Sequence, residues 1–195
     1  MKDKISYLEK NIDELINILN IVKNFEANLE SIAKKIHKKI KKGGKIYLCG
    51  NGGSAADAQH LAAEFLVRLR PNINRDPIAA VSLAMDTSTI TACGNDYNFN
   101  DLFSRNLKAL ANKKDILIAI STSGKSKNIL KVLQLAKKKN IYSFCLLGNK
   151  GGLAKLYCDD SIIVPSNNVA RIQEAHILIG HSLFEKIEDS ILEKK

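Results

Sequence analysis

The spacing of apolar side chains changes near residue 43. Before it, apolar residues recur three and four positions apart, which predicts amphipathic helices over residues 3–42 with a break near Asn24. Gly43 and Gly44 predict the end of the second helix, because glycine is common just past a helix. Five short apolar runs with little polar alternation follow, as in strands covered on both faces. These runs span residues 45–49, 78–83, 116–121, 142–147 and 161–164.

Helical patterns separate several of these runs and predict further helices over 54–70, 101–111, 126–139 and 170–192. Alternating strands and helices imply right-handed crossovers and a parallel sheet with helices on both faces. We therefore predict an α/β fold, a three-layer α/β/α sandwich with a five-stranded parallel sheet. Residues 1–195 form a single domain in this prediction, with residues 1–42 as a helical N-terminal extension. Ligands of such sheets bind beyond the carboxyl ends of the strands.

The chain is basic, with 30 Lys+Arg against 20 Asp+Glu and a net charge of +10 over 195 residues. Most of the basic residues are lysines in short clusters at predicted helix or strand ends. This placement favours a solvated surface that complements helix dipoles, and steering of an anionic small molecule is the alternative. Nucleic acid is not an expected partner, because there is no Trp and no basic stretch interleaved with aromatic residues.

Cysteine usage and the chain start predict the compartment. The four cysteines form no C-x-x-C pair, and three of them lie in or beside the apolar runs. They are interpreted as reduced core residues of a cytoplasmic protein. The first residues lack the apolar region of a signal peptide, and no apolar stretch is long enough to span a bilayer. A membrane is therefore not an expected partner.

A glycine-rich loop, GNGGSA at 50–55, follows the first predicted strand and leads into a helix. Glycines permit a tight turn and let backbone N–H groups approach a ligand closely. The spacing matches the dinucleotide pattern G-x-G-x-x-G/A, but the acidic residue expected at the end of the second strand is missing. We therefore expect no nucleotide cofactor. The loop is either a structural turn or a ligand-contacting loop, and the second interpretation is favoured.

A hydroxyl-rich loop follows the third predicted strand: Ser121, Thr122, Ser123 and Ser126, just before a helix. The run Gly124-Lys125-Ser126 is not a P-loop, because position 119 is Ala where a glycine is required. A helix cap needs only one hydroxyl. Four hydroxyls at a helix start therefore favour a phosphate or carboxylate site.

Two predicted helices carry candidate acid/base or metal-binding residues. His60, Glu64 and Arg68 follow one another at i, i+4 and i+8, so His60 and Glu64 share a face and can reach one metal or one substrate. Such pairs are common on exposed helices, and spacing alone does not establish a site. The last helix carries Gln173, His176 and His181, of which His176 is interpreted as structural.

Four stretches together resemble the phosphoheptose isomerases of the sugar-isomerase (SIS) domain family. They are CGNGGSAADAQHLAAEF at 49–65, GNDYNFNDLFSR at 94–105, STSGKSKN at 121–128 and RIQEAH at 171–176 with the following His181. The stretches stand in the family's order, and the resemblance covers nearly the whole chain. It implies the SIS fold, which is flavodoxin-like.

The resemblance also implies roles for individual residues. Glu64 and His181 are the expected acid/base pair. One zinc ion per subunit is expected at His60, Glu64, Gln173 and His181. A homotetramer is expected, with active sites at subunit contacts and residues 1–42 packed in the oligomer. The implied substrate contacts are Asn51, Gly52, Gly53, Ser54, Glu64, Arg68, Asn95, Asp96, Ser121, Thr122, Ser123, Ser126 and Gln173.

The implied reaction converts sedoheptulose 7-phosphate to D-glycero-D-manno-heptose 7-phosphate, for lipopolysaccharide or capsule. Moving a proton between C1 and C2 needs a base at carbon and proton donors at the two oxygens, without a redox cofactor. Two alternatives stay open. One is an isomerase of another sugar phosphate, and the other is a non-catalytic tetrameric relative that binds the bacterial replication initiator.

Overall fold

A computed structural model describes residues 6–84 and 86–192 as an α/β sandwich. In the described residues the helices are α1 (Tyr7–Val22), α2 (Glu26–Ile40), α3 (Gly53–Leu66), α4 (Thr87–Asp96), α5 (Leu102–Leu110), α6 (Lys127–Lys138) and α7 (Val169–Leu192). The strands are β1 (Ile46–Cys49), β2 (Ala80–Ser82), β3 (Ile116–Ser121), β4 (Tyr142–Gly148) and β5 (Asp160–Val164).

The five strands form one parallel sheet in the order β2-β1-β3-β4-β5, which confirms the predicted sheet. Alternate residues of β1 enter different cores, because successive side chains of a strand point to opposite faces. Ile46 and Leu48 pack in the core formed with α2, α3 and α7. Tyr47 and Cys49 pack in the other core, formed with α5 and α6. Helices therefore cover both faces of the sheet, as predicted.

The N-terminal pattern is confirmed as two helices. A short 3₁₀ turn, Lys23–Phe25, separates α1 from α2 at the predicted break. The side chain of Ile36 on α2 is fully buried, and α2 is joined to α7 by an ion pair between Glu26 and Lys186. The outer face of α1 is apolar and exposed, and Tyr7 retains 89 % of its accessible surface. Residues 3–5 of the predicted helix lie outside the described residues.

Two helical boundaries differ from the prediction. Helix α3 ends at Leu66 rather than at residue 70, because the backbone of Val67 leaves the helical region at φ −107° and ψ −86°. Helix α4 was not predicted, since its sequence TSTITACGND is rich in residues of low helix propensity. It is stabilised at its start by Asp86, whose carboxylate accepts hydrogen bonds from the backbone N–H groups of Ser88 and Thr89.

The positions of the lysines and the burial of the cysteines agree with the structure. Lys38 and Lys39 lie in the last turn of α2, and Lys137 and Lys138 lie in the last turn of α6. All four cysteines are free thiols, and three of them are buried. In the described part of the chain, no helix is long and apolar enough to cross a bilayer.

Candidate active site

Helices α3 and α7 lie side by side in the same direction and approach closely at two glycines. A Cβ atom on Gly53 would lie 2.4 Å from Nε2 of Gln173, and one on Gly180 would lie 2.8 Å from Cδ1 of Leu61. Both distances are shorter than real Cβ atoms show, and the nearest atoms belong to side chains of the facing helix. The space beside each glycine is therefore filled by the side chain of Gln173 or of Leu61.

This close approach brings three candidate residues together. Nε2 of His60 lies 2.8 Å from Nε2 of His181, and 3.6 Å from Oε1 of Glu64. The first distance is a hydrogen bond, in which one imidazole donates and the other accepts. The side chain of Glu64 is only 18 % exposed, whereas that of His60 is 48 % exposed. A carboxylate and two imidazoles thus meet at the edge of the α3–α7 contact, where they are able to exchange protons with a ligand.

Electrostatics favour a neutral imidazole at His181. Burial lowers the pKa of His181, and the nearby His60 lowers it further, while Glu64 and Glu185 act in the opposite direction. Burial also raises the pKa of the Asp57 carboxyl, one turn before His60 on α3. A neutral His181 retains a lone pair that accepts a proton, which is the form a general base requires.

The glycine-rich loop is tied to the start of α6 by a pair of amides. Asn51 donates to Oδ1 of Asn128 at 2.9 Å, and Asn128 donates back to Oδ1 of Asn51 at 2.8 Å. Asn128 is buried, and its Oδ1 also accepts from the backbone N–H of Ile129. Sequence reasoning did not single out Asn128, although it ends the stretch STSGKSKN. Its contacts hold the first loop and the hydroxyl-rich loop in one arrangement.

The hydroxyl-rich loop lies at the carboxyl end of β3, as predicted. Oγ of Ser121 accepts from the backbone N–H of Gly124 at 3.1 Å, and Oγ of Ser123 accepts from that of Lys125 at 3.2 Å. Ser126 is the N-cap residue of α6, yet its side chain makes no capping hydrogen bond. The hydroxyl of Ser126 and the N-terminus of α6 are therefore available to an anion, and capping does not explain this serine.

The loop after β4, at residues 149–154, packs against the backbone of the hydroxyl-rich loop. Gly124 has φ +62°, and a Cβ there would lie 2.0 Å from the backbone oxygen of Gly151. The carbonyl of Gly124 accepts a hydrogen bond from the backbone N–H of Ala154 at 3.0 Å. The left-handed backbone and the close approach of Gly151 both require glycine at position 124.

Arg68 lies outside helix α3. Because α3 ends at Leu66 rather than at residue 70, Arg68 lies beyond the helix and its side chain is exposed. Its role as a substrate contact stays a prediction.

Asn95 and Asp96 lie at the end of α4, where both are exposed. Nδ2 of Asn95 donates to Oδ1 of Asp96 at 2.8 Å. Among the described residues, no hydrogen bond joins either side chain to Glu64 or His181. Their proposed contact with the sugar hydroxyls stays a prediction.

The structural interpretation of His176 agrees with its surroundings. The residue is fully buried, and its Nε2 lies 3.0 Å from the carbonyl oxygen of Leu147, to which it donates. Burial lowers the pKa of His176 to about 4. The imidazole is therefore neutral at pH 7 and links α7 to the end of β4.

The donor atoms around His60 suit zinc by chemical type. Two imidazole nitrogens and a carboxylate are ordinary zinc ligands, whereas Gln173 is an unusual one. Across the described part of the chain, no three His, Cys, Asp or Glu side chains already form a complete metal-binding group. Zinc binding at His60, Glu64, Gln173 and His181 stays a prediction.

Comparisons with known proteins agree with this geometry. The family model "SIS domain" matches residues 10–148. Phosphoheptose isomerase 1 of Campylobacter jejuni is 45 % identical over 186 residues, which cover 95 % of this chain and 99 % of that protein. A phosphoheptose isomerase of a Nitratiruptor species is 51 % identical over 146 residues, 75 % of this chain and 77 % of that protein.

Solved structures give the same result. The phosphoheptose isomerase of Neisseria gonorrhoeae is 35 % identical with a TM-score of 0.87, and the match covers 93 % of this chain and 97 % of that one. That of Francisella tularensis is 36 % identical with a TM-score of 0.85, and the match covers 94 % and 95 %. The chain therefore belongs to the SIS-domain family and, within it, to the phosphoheptose isomerases.

Proposed function

We propose that this protein is an aldose–ketose isomerase that converts sedoheptulose 7-phosphate to D-glycero-D-manno-heptose 7-phosphate. The observation that carries the proposal is the meeting of Glu64, His60 and His181 where α3 and α7 touch. The family supplies the substrate class, and the available hydroxyl of Ser126 suits its phosphate. The product would supply heptose to surface polysaccharide, in lipopolysaccharide or capsule.

The chemistry needs two proton transfers at carbon. A base takes the proton from C1 of the ketose, the C1–C2 double bond of an enediol forms, and the C2 oxygen gains a proton. The O1 proton then leaves, C1 becomes the aldehyde carbon, and C2 receives a proton. We assign these transfers jointly to Glu64 and His181, because a carboxylate and a neutral imidazole are ordinary general acid/base groups and both lie where α3 and α7 meet.

The remaining site residues bind and orient the sugar phosphate. The loop that leads into α6 carries the hydroxyls of Ser121, Thr122, Ser123 and Ser126. The positive dipole end of α6 would attract a phosphate dianion. The paired amides of Asn51 and Asn128 fix this loop relative to α3. A phosphate bound there would anchor one end of the substrate while the other end lies near the acid/base pair.

Zinc binding and assembly are parts of the proposal. His60, Glu64, Gln173 and His181 would hold one zinc ion per subunit. A bound zinc ion supplies Lewis-acid polarisation of sugar oxygens. The exposed apolar face of α1 supports a homotetramer, because Tyr7, Leu8, Ile12 and Ile16 all retain much of their accessible surface. Metal analysis after chelation and light scattering test these two statements separately.

The proposal is tested by incubating the purified protein with sedoheptulose 7-phosphate and following the products by NMR. The expected result is the signal of heptose 7-phosphate with an aldehyde-derived C1. Parallel reactions with a hexose and a pentose ketose phosphate test the alternative substrates. Faster turnover of one of them would replace the proposed substrate. No turnover of any sugar by a zinc-supplied tetramer would overturn the enzymatic proposal and favour the initiator-binding alternative, which a pull-down with the initiator tests.

A further inference from the structure

We propose that a buried ion pair between Arg75 and Glu188 positions Glu64 against His181. The inference rests on the proposed function, because it explains how the acid/base pair is held. Neither residue was singled out by the sequence patterns. Arg75 lies in the connection between α3 and β2, and Glu188 lies on α7.

The ion pair is almost completely shielded from water. The side chain of Arg75 is 2 % exposed and that of Glu188 is 0 % exposed. Nε of Arg75 donates to Oε1 of Glu188 at 2.6 Å. Nε of Arg70 donates to the other oxygen, Oε2, also at 2.6 Å. Each oxygen of the buried carboxylate is therefore bound by its own guanidinium group.

The rest of the Arg75 guanidinium binds the end of the helix that carries Glu64. Nη2 of Arg75 donates to the backbone oxygen of Glu64 at 2.7 Å, and Nη1 donates to that of Phe65 at 3.1 Å. Carbonyls in a last helical turn lack partners within the helix. Because α3 ends at Leu66, these carbonyls are free to accept from Arg75, whose charge also complements the negative end of the helix dipole.

Glu188 extends the same connection to His181. It follows His181 by seven residues, which is about two helical turns, so the two side chains lie on one face of α7. Two contacts therefore connect helices α3 and α7. The first is the hydrogen bond between His60 and His181. The second, two turns further along α7, runs from Glu188 through Arg75 to the backbone oxygen of Glu64.

The directed hydrogen bonds of Arg75, rather than a gain in stability, explain why an ion pair is buried between α3 and α7. A buried ion pair is seldom more stable than an apolar pair of similar size. Apolar packing is already present, since the rings of Phe65 and Phe184 lie 4.4 Å apart and the Arg75 guanidinium lies 5.0 Å from the Phe184 ring. A planar guanidinium adds fixed hydrogen-bond directions that aromatic packing lacks. Arg75 therefore fixes how the end of α3 is placed, and with it the backbone of Glu64.

The test compares Arg75→Lys with Phe184→Leu. Lysine keeps the positive charge but offers one nitrogen in place of the three that bind Glu188 and the two α3 carbonyls, so the backbone of Glu64 is held less firmly. We expect kcat to fall about 10-fold to 100-fold with KM within about twofold, since small misplacements of catalytic groups carry such costs. Phe184→Leu weakens the same helix contact without removing a hydrogen bond to Glu64. It is expected to lower Tm while kcat stays within about twofold.

A second readout keeps the inference separate from the proposed function. Proton–nitrogen correlation spectra of ¹⁵N-histidine-labelled protein at fixed pH report the rings of His60 and His181 without any substrate. Arg75→Lys should shift both signals and leave that of His176 unchanged. Glu188→Gln, which keeps the shape of the side chain, replaces Arg75→Lys if that variant does not fold. A wild-type protein inactive on the sugar, with shifted signals in the variant, would refute only the proposed function.

The inference is overturned by a folded Arg75→Lys or Glu188→Gln variant with wild-type kcat and unshifted signals of His60 and His181. It is also overturned if Phe184→Leu lowers kcat as much as Arg75→Lys at a temperature where both are folded. Either result would mean that the ion pair only stabilises the fold.

Discussion

Replacing Gly124 by alanine should damage the fold and the phosphate site together. Gly124 and Gly43 both have left-handed backbones, with φ +62° and φ +76°, and that conformation costs alanine about 1–2 kcal/mol. Only at Gly124 is the space for a Cβ occupied, by the backbone oxygen of Gly151 at 2.0 Å, whereas no atom lies within 4 Å of a Cβ on Gly43. Gly43→Ala is therefore the matched control for backbone strain alone.

Gly124→Ala should lose more unfolding free energy than Gly43→Ala, because backbone strain is only part of its cost. Relieving the contact at Gly124 requires the loop around Gly151 to move by about 1 Å, and such overpacking costs about 1–3 kcal/mol. The move also weakens the hydrogen bond from Ala154 to Gly124, which is worth about 1 kcal/mol. We expect Gly43→Ala to lose about 1–2 kcal/mol of unfolding free energy and Gly124→Ala about 3–6 kcal/mol.

Urea unfolding followed by circular dichroism measures these free energies, and steady-state kinetics measure KM. Displacing the loop that carries Ser123 should raise KM for the sugar phosphate at least about 10-fold in Gly124→Ala, since one lost contact to a charged group is worth about 1.5–3 kcal/mol. KM should be unchanged in Gly43→Ala. Equal losses of stability in the two variants, with equal KM, would refute the packing argument.

Two further predictions concern binding and pH. Ser126→Ala should change the unfolding free energy by no more than about 0.5 kcal/mol, because Ser126 makes no capping hydrogen bond, but it should raise KM. The control Asp86→Ala removes a capping side chain, so it should lose about 1 kcal/mol of unfolding free energy with KM unchanged. Burial lowers the pKa of His176 to about 4 in the folded protein. Between pH 6.5 and 4 this histidine is therefore protonated in the unfolded chain and neutral in the folded one. As pH falls through this window, the wild-type protein should lose about 3 kcal/mol of unfolding free energy more than His176→Gln does. Urea unfolding at each pH measures the difference. Equal pH profiles of the two proteins, or an unchanged KM in Ser126→Ala, would contradict these expectations.

Local patterns of apolar residues predicted best those helices and strands that are buried along their whole length. Strand β3 was predicted with its observed bounds, Ile116–Ser121, because a run of apolar residues ends there at a hydroxyl. Helix α4 was not predicted because its threonines carry little helical preference, and its N-cap, Asp86, was not recognised as the start of a helix. The end of α3 was missed because the apolar pattern continues past Leu66, where the chain already turns toward Arg75.

The site was less accessible to local reasoning than the fold. The spacing of His60 and Glu64 placed them on one face, but only the resemblance joined them to His181, 121 residues further along the chain from His60. The ion pair of Arg75 and Glu188 spans 113 residues. No periodic pattern reports a contact of this kind, because it depends on how closely two helices pack at Gly53 and Gly180.

The most direct test of the account is the kcat of Glu64→Gln on sedoheptulose 7-phosphate, measured by NMR beside wild type. Glutamine preserves the shape of the side chain and cannot accept the proton from carbon. Since a positioned acid/base group contributes about 10²–10⁴-fold, we predict that kcat falls by at least about 100-fold while the protein stays folded. A folded Glu64→Gln variant with a kcat close to that of wild type would contradict the assignment of Glu64 as an acid/base residue.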